Sequence, residues 1–352
     1  MRVQCRTMEQ LILPDGYHEL LDPKHTERAI LKLKETFQTN LAFELNLTRV
    51  TAPLFVKSGT GINDDLNGVE RPVRFKIGGM NDEQAEVVQS LAKWKRLALA
   101  ELRFAPGEGL YTDMNAIRPD DPIDNTHSIY VDQWDWELVM NPEDRTLEYL
   151  ESVVRTIYDV IRRTERYMAH EYDVLTPHLP DTITFVHAED LARAHPDLSP
   201  REREYRACRE HGAVFVIGIA GPLPDGSIHD GRAPDYDDWS TPTRDGYTGL
   251  NGDIVVHNPV LDTAFELSSM GIRVDIPTLE RQLEIRDATE RKALYFHRRL
   301  LSGDLPQSIG GGIGQSRLSM LILQKAHIGE IQAGIWPDEM IEACRDKGIH
   351  LL

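Results

Sequence analysis

The run Gly310-Gly311-Gly312-Ile313-Gly314-Gln315-Ser316-Arg317-Leu318 restricts what this chain can build more than any other stretch. Four glycines in five positions strip the Cβ atoms from one surface, so that a flat ligand can lie against bare backbone. Leu305 to Ile309, just before, reads as extended; Leu318, Met320, Leu321, Ile322 and Leu323, just after, read as a buried helix over about residues 315–325. Arg317 then falls in the first turn of that helix, held beside the glycine floor. A strand, a glycine platform and a helix-borne arginine suit a nucleotide, whose base stacks and whose phosphates need a cation. A Walker loop is excluded because the chain contains no Gly-Lys pair. A dinucleotide fingerprint fails too, since the spacing is GxGxG and too little chain follows for a βαβ unit. A tight turn with a surface arginine is the plain alternative.

With 352 residues, 41% of them hydrophobic, the chain can bury a large core. The formal net charge of −18 is spread without an acidic tail, which favours solubility and argues against a nucleic-acid footprint. Cys5, Cys208 and Cys344 are too few and too scattered for a disulfide framework or a zinc site, and read as buried or idle thiols. No long apolar run opens the chain, and the longest one, Ala213 to Ala220, is far too short to span a bilayer. A cytoplasmic protein without a membrane partner is expected.

Residues 1–23 lack periodicity, contain the turn signal Pro14-Asp15-Gly16, and read as an extension on a single domain over residues 24–352. Ile30, Leu33, Phe37 and Leu41 predict a long amphipathic helix from Lys24 to about Leu45. Leu47, Val50, Leu54 and Phe55 around Pro53 read as one edge strand, and a long helix running into such an edge suits an oligomer contact. Ser58 to Gly68, SGTGINDDLNG, is a turn-rich loop carrying Asp64 and Asp65, on its own no more than a solvated turn. Val73 to Ile77 reads as a strand. Val87, Leu91, Trp94, Ala98 and Leu102 predict a second helix over about 84–103 bearing Ser90, Lys93 and Lys95, and lysines in such places ordinarily face solvent. Strands are expected within 110–136, 182–187, 213–220 and 253–274, and helices near 148–172 and 278–301.

Met114 to Ile117 and Ser128 to Trp136 form a predicted hairpin. Period two puts Tyr130, Asp132 and Trp134 on one face and Val131, Gln133 and Asp135 on the other, with Arg118 across the ladder. A surface hairpin has no need of an arginine, a glutamine and an aspartate on one side, although a structural ion pair would account for part of the set.

Ile117-Arg118-Pro119-Asp120 at a strand end and the distant GGGIGQSR resemble the second and third signature motifs of class II aminoacyl-tRNA synthetases, the aspartyl and asparaginyl type in particular. Pro53 after the long helix is similar to their first, dimer-forming motif. The strings SLAKWKR (Ser90 to Arg96), GEGLYT (Gly107 to Thr112), YVDQWDWE (Tyr130 to Glu137), RAPDYDDWSTP (Arg232 to Pro242), LNGDI (Leu250 to Ile254), FELSSMGIRVD (Phe265 to Asp275) and IGGGIGQSRL (Ile309 to Leu318) resemble the aspartate–ammonia ligase family, the ammonia-dependent asparagine synthetases. The resemblance covers about residues 24–340. It is weakest at 146–206 and 279–303, which carry none of the motifs.

That resemblance implies an α+β fold: a class II synthetase-like catalytic core with a mixed, mainly antiparallel sheet flanked by helices, working as a homodimer. It implies a ligase that adenylates the β-carboxylate of L-aspartate with ATP and lets ammonia displace AMP. Both steps build negative charge, so arginines and Mg²⁺ aimed at phosphate are expected. On the family's pattern Arg118 meets the α-phosphate, and Arg317 meets the adenine face or the γ-phosphate. Asp120, Asp253, Ser268, Gly311, Gly312 and Gly314 complete the nucleotide site, and Asp253 and Glu266 hold Mg²⁺. Lys95, Ser269 and Arg273, with Ser90 nearby, take the aspartate α-carboxylate. Gln133, Asp135, Tyr236 and Asp237 suit its amino group or the ammonia, and Asp64 binds the substrate amine or takes a proton from ammonium. A transition-metal site at Asp235 to Asp238 with His229 and Asp230 would lack a second spaced histidine. Glutamine as nitrogen donor would need a nucleophilic N-terminal cysteine, yet residue 2 is Arg2 and Cys5 has no recognisable glutaminase setting. An aspartyl- or asparaginyl-tRNA synthetase-like enzyme, or a non-catalytic aspartate and adenine-nucleotide sensor, are the competing readings.

Overall fold

Asp22 starts the first helix, its carboxylate accepting the His25 amide at 2.8 Å while Pro23 fills the first helical position. The computed structural model, which describes residues 11–64, 66 and 70–352, continues that helix as α1 (Pro23–Glu44). Then follow β1 (Leu47–Arg49), β2 (Phe55–Lys57), β3 (Arg74–Ile77), β4 (Glu83–Val87), α2 (Ala92–Glu101), β5 (Gly109–Ile117), β6 (Tyr130–Val139), α3 (Leu147–Glu171) and β7 (Thr184–His187). The remainder is α4 (Ala188–Ala194), α5 (Pro200–His211), β8 (Ala213–Ile217), β9 (Asn251–Asn258), β10 (Thr263–Ile272), α6 (Ile276–Ile285), α7 (Tyr295–Leu301), β11 (Ser308–Gly314), α8 (Gln315–Ile322) and α9 (Asp338–Asp346).

Among the described residues the main sheet runs β1-β5-β6-β11-β10-β9-β8-β7; its β1–β5 and β7–β8 pairs are parallel and the others antiparallel. A small antiparallel sheet, β2-β4-β3, stands apart. Alternation decides which face of the main sheet is dry. Trp134, Trp136 and Leu138 of β6, Ile309 and Ile313 of β11, and Phe265, Met270 and Ile272 of β10 enter one core with the stripes of α1 (Leu33, Phe37, Leu41) and α3 (Val154, Ile157, Ile161). Phe37 packs on Trp134 with ring centroids 4.6 Å apart. On the opposite face α4 and α5 cover β8 with Cys208, Val214 and Val216, while α2 covers the β5–β6 end through Ala98, Leu99, Leu110 and Val139. Between those two covers the middle of the sheet presents polar side chains.

Several sequence expectations change. The stretch 84–103 is a strand, a turn and then α2, because β4 pairs with both β2 and β3; Ser90 precedes the helix, donating no side chain to its core but accepting the Ala92 amide at 3.2 Å. Lys93 and Lys95, expected in solvent, are 2% and 1% exposed. The Leu47–Phe55 strand splits into β1 and β2 in different sheets, with Pro53 in neither. The helix 278–301 divides into α6 and α7 around a 3₁₀ turn at Thr289–Ala293. The extended segment expected at Leu305 to Ile309 moves onto the glycines themselves, which lie inside β11. Of the extension at 1–23, Leu11, Leu13, Tyr17 and Leu20 pack half-buried on the main core; residues 1–10 with Cys5, and Asp65 and Gly68 of the glycine-rich loop, lie outside the described residues.

Candidate active site

The register of β6 against β11 builds the floor. Gly310 pairs with Glu137, Gly312 with Asp135 and Gly314 with Gln133, so each missing side chain lies beside a polar one on the face opposite Trp134 and Trp136. A Cβ on Gly310 would come within 2.0 Å of Glu137 Oε2, and one on Gly312 within 2.3 Å of Gln133 Oε1. The glycines therefore make room for the neighbouring carboxylates and amide as well as for a ligand.

Above them lies a cavity of about 330 Å³ whose lining includes Asp64, Ser90, Lys95, Arg118, Gln133, Asp135, Tyr236, Asp237, Glu266, Ser269, Arg273, Gly311, Gly312, Gly314 and Arg317. Arg118 and Arg317, 199 positions apart in sequence, thus face the same space. Glu266 and Ser269, three residues apart, would point to opposite faces of a regular strand. The register shift between Glu266 and Ser268 brings both to the cavity.

At the deep end five side chains form a buried ionic array. Lys95 Nζ sits 2.5 Å from Asp135 Oδ1 and 3.9 Å from Glu137 Oε2, and donates to the Gly311 carbonyl at 2.8 Å. Arg273 lays its fork on Glu137, with Nη2–Oε2 2.8 Å and Nε–Oε1 3.0 Å, and its other nitrogen bonds Asp237. Ser308 Oγ donates to Glu137 Oε1 at 2.8 Å. Burial alone would raise the Glu137 carboxyl, but Arg273 and then Lys95 hold it below the usual range. Burial depresses the Lys95 ammonium and raises Asp237 against the pull of Arg273. Three carboxylates face two cations, and the buried Asp135 Oδ2 has no hydrogen-bond partner. A bound ammonium group would satisfy that oxygen.

The two arginines are held by backbone. Arg118 donates to the Gln89 carbonyl from Nη2 at 2.9 Å and from Nε at 3.2 Å. The amide of the same Gln89 donates to Asn63 Oδ1 at 2.9 Å, and that oxygen also accepts the Asp64 amide at 3.0 Å. Arg317 Nη1 donates to the Glu266 carbonyl at 3.2 Å, its carboxylate lying 3.8 Å away. Asp132 anchors the start of α8, accepting the Ser316 amide at 3.0 Å and its hydroxyl at 2.9 Å. A carboxylate there complements the helix N-terminus and sets where Arg317 stands.

Three expected members do not line the cavity. Asp120 is exposed and paired with Arg71, whose guanidinium holds its carboxyl down to about 2; the neighbouring Asp121 lines the cavity instead. Asp120→Ala is therefore expected to leave nucleotide affinity within about twofold of the parent by calorimetry, as exposed ion pairs contribute little. Ser268 is buried, with no partner for its hydroxyl. Asp253 lies beneath Arg232, a cavity residue whose guanidinium reaches Asp253 Oδ2 and Asp230 Oδ2, both at 2.6 Å. Burial raises the Asp253 carboxyl to about 7 against Arg232, with Glu266 and Asp230 pushing the same way as burial, and Asp253 Oδ1 has no partner. The unbonded Asp253 Oδ1 and the Glu266 carboxylate are hard-oxygen donors of the kind a divalent cation such as Mg²⁺ takes, one or two from the protein and the rest from phosphate and water. No cluster of three metal-ligating side chains forms anywhere among the described residues; at Asp235 to Asp238, Asp235 and Asp237 are in ion pairs.

Sequence reasoning missed Glu137, Arg232 and Asp132. Glu137 carried a usable signal, the same strand parity as Gln133 and Asp135. Arg232 opened the quoted string RAPDYDDWSTP but was given no role. Asp132 was read on the far face, and only the fold shows it reaching α8.

A family model described as aspartate–ammonia ligase matches residues 24–348. The aspartate–ammonia ligase of Parabacteroides distasonis is 57% identical over 345 residues, covering 98% of this chain and 100% of that one. That of Clostridium perfringens is 53% identical over the same shares. Among solved structures, asparaginyl-tRNA synthetase from Pyrococcus horikoshii complexed with asparaginyl-adenylate superposes with a TM-score of 0.65 at 17% identity, over 89% of this chain and 70% of that one. The asparaginyl-tRNA synthetase of Entamoeba histolytica with asparaginyl-adenylate gives 0.62 at 15% identity, over 88% and 66%. These likenesses show the class II synthetase core fold.

Proposed function

The chain belongs to the aspartate–ammonia ligase family, and on that premise we propose that the cavity over β6, β11 and β10 makes L-asparagine from L-aspartate, ammonia and ATP through a β-aspartyl adenylate, releasing AMP and pyrophosphate. The observation that carries the assignment of residues is the buried Asp135 Oδ2 left unbonded in the ionic array, in the same cavity as Arg118 and Arg317. The α-ammonium of aspartate completes that array at Asp135, Asp237 and Gln133. Its α-carboxylate meets Lys95, Arg273 and Ser269, with Ser90 beside them. Tyr236, its hydroxyl kept neutral by burial and by Asp64 and Asp237, stacks near Arg273, whose guanidinium lies 5.8 Å from the ring centroid.

Fixing the amino acid by its backbone groups leaves the β-carboxylate to attack the α-phosphorus. Arg118 neutralises charge growing on the α-phosphate. Arg317 steadies the far end of the nucleotide over the glycine floor of Gly311, Gly312 and Gly314. Asp253 and Glu266 would hold Mg²⁺, which when bound neutralises triphosphate charge. Asp64, buried in the cavity wall, receives ammonium and takes its proton, so that neutral ammonia displaces AMP at the activated carbonyl carbon. The described thiols do not serve glutamine cleavage: Cys208 and Cys344 are buried, which raises both, Cys344 to about 11, and neither lines the cavity.

The catalytic unit is residues 24–352, a cytoplasmic homodimer meeting through α1 and the Pro53 segment. Leu54 and Phe55, 52% and 47% exposed, support that contact. No helix among the described residues is long and apolar enough to cross a membrane.

The test is incubation with ATP, Mg²⁺ and aspartate plus either ammonium or glutamine. Asparagine and AMP are expected with ammonium and not with glutamine. ADP in place of AMP would refute the adenylate, and equal rates with glutamine would refute the nitrogen source.

A further inference from the structure

Behind the cavity wall lies a second buried charge cluster. Lys93 Nζ is 3.2 Å from Asp235 Oδ2 and 3.8 Å from Asp64 Oδ1. The same Asp235 oxygen receives Arg291 Nη1 at 3.2 Å and lies 3.0 Å from His297 Nε2. Asp64, Lys93, Asp235 and His297 are all at most 3% exposed. Only Asp64 of these reaches the cavity. The loop that presents Asp64 is docked on α7: the Phe296 amide donates to the Thr60 carbonyl at 3.2 Å, and a Cβ on Gly61 would come within 2.9 Å of Leu294 Cβ. Gly61 also has φ +73°, so the close approach and the turn both demand glycine.

Taking Asp64 as the ammonium-side carboxylate, as read above, we propose that Lys93 is a positioning residue for the nitrogen half of the reaction: anchored by Asp235, it fixes the Asp64 carboxylate in the cavity wall where ammonium is received. A lysine buried this deeply needs a committed counter-charge, which Asp235 supplies. Arg291 and His297 converge on that same Asp235 oxygen, so Asp235 is itself held in place and Lys93 has a fixed origin from which to reach Asp64. Among the described residues, Lys93, Asp235 and His297 make no ion pair with Arg118, Arg317 or the deep array, and Asp64 is tied to Arg118 only through Asn63 and the Gln89 backbone, which a side-chain change at Lys93 leaves in place. Its effect therefore falls on ammonium far more than on adenylation.

The experiment measures ammonium KM in full turnover and aspartate-dependent ATP–pyrophosphate exchange, which needs no ammonia, in Lys93→Met, Lys93→Arg, Asp64→Asn and the double variant Lys93→Met/Asp235→Asn. Lys93→Met is expected to raise ammonium KM about tenfold or more, the scale of coupling between contacting side chains, with exchange nearly unchanged. Lys93→Arg should recover part of the loss. Lys93→Met leaves Asp235 its Arg291 and His297 partners but takes one positive charge from the cluster; the double variant restores that balance, so its thermal stability should recover toward the parent while ammonium KM stays raised. A normal ammonium KM in Lys93→Met, or one that recovers with stability in the double variant, overturns the proposal and leaves Lys93 a structural ion pair. A normal ammonium KM in Asp64→Asn removes the role of Asp64 itself, and this proposal with it; a raised value there beside a normal one in Lys93→Met sinks the proposal alone.

Discussion

Arg118→Ala is expected to lower aspartate-dependent pyrophosphate release by about 10²- to 10³-fold, the usual cost of losing one donor aimed at charge that grows in the transition state. Its guanidinium lines the cavity and is steadied by two bonds to one backbone carbonyl, that of Gln89, so it is aimed without being consumed in an ion pair there. Arg118 is only half-buried, and its removal takes no core packing with it. Thermal unfolding close to the parent's is therefore expected alongside the lost activity. Arg118→Lys keeps the charge but not the fork and should fall between the two. Pyrophosphate release at the parent's rate in Arg118→Ala would show that adenylation happens elsewhere.

Glu137→Ala should be the most destabilising single change at the site, costing about 3–5 kcal/mol in denaturant unfolding, as when one partner of a buried pair is removed. Glu137 is fully buried and takes two nitrogens of Arg273 and the Ser308 hydroxyl, with Lys95 at the edge of contact. Without it Arg273 keeps only Asp237 as a carboxylate partner, and the array around aspartate loses its geometry. Aspartate KM should rise with the loss of stability. An unfolding free energy within 1 kcal/mol of the parent's would mean that water or a neighbour replaces the carboxylate, which the 0% exposure of Glu137 argues against.

The long helices and the hairpin were legible because each is dictated by its own spacing: α1 and α3 by apolar residues every three or four positions, β6 by Trp134 and Trp136 alternating with Gln133 and Asp135. The stretch 84–103 was not legible. Val87, Leu91 and Trp94 keep a helical spacing across a strand, a turn and a helix, and only pairing with β2 and β3 breaks the tie. The burial of Lys93 and Lys95 depends on partners 142 and 216 positions away, Asp235 and the Gly311 carbonyl, which no local pattern announces. The class II motifs placed Arg118 and Arg317 in one cavity, but could not tell Asp120 from Asp121, since a turn decides which of two adjacent carboxylates looks inward. The offset at Glu266 is likewise a property of the sheet's register and leaves no mark in composition.

The backbone of Gln89 gives its N–H to the side chain of Asn63, next to Asp64, and offers its carbonyl to Arg118. The two groups lie on adjacent stiff peptide planes hinged at a single Cα, so a shift of the loop on one side reaches the guanidinium on the other through one φ/ψ pair. Retailoring this scaffold for a bulkier amine by reshaping the Asp64 loop would disturb activation of the acid before any new nucleophile arrived.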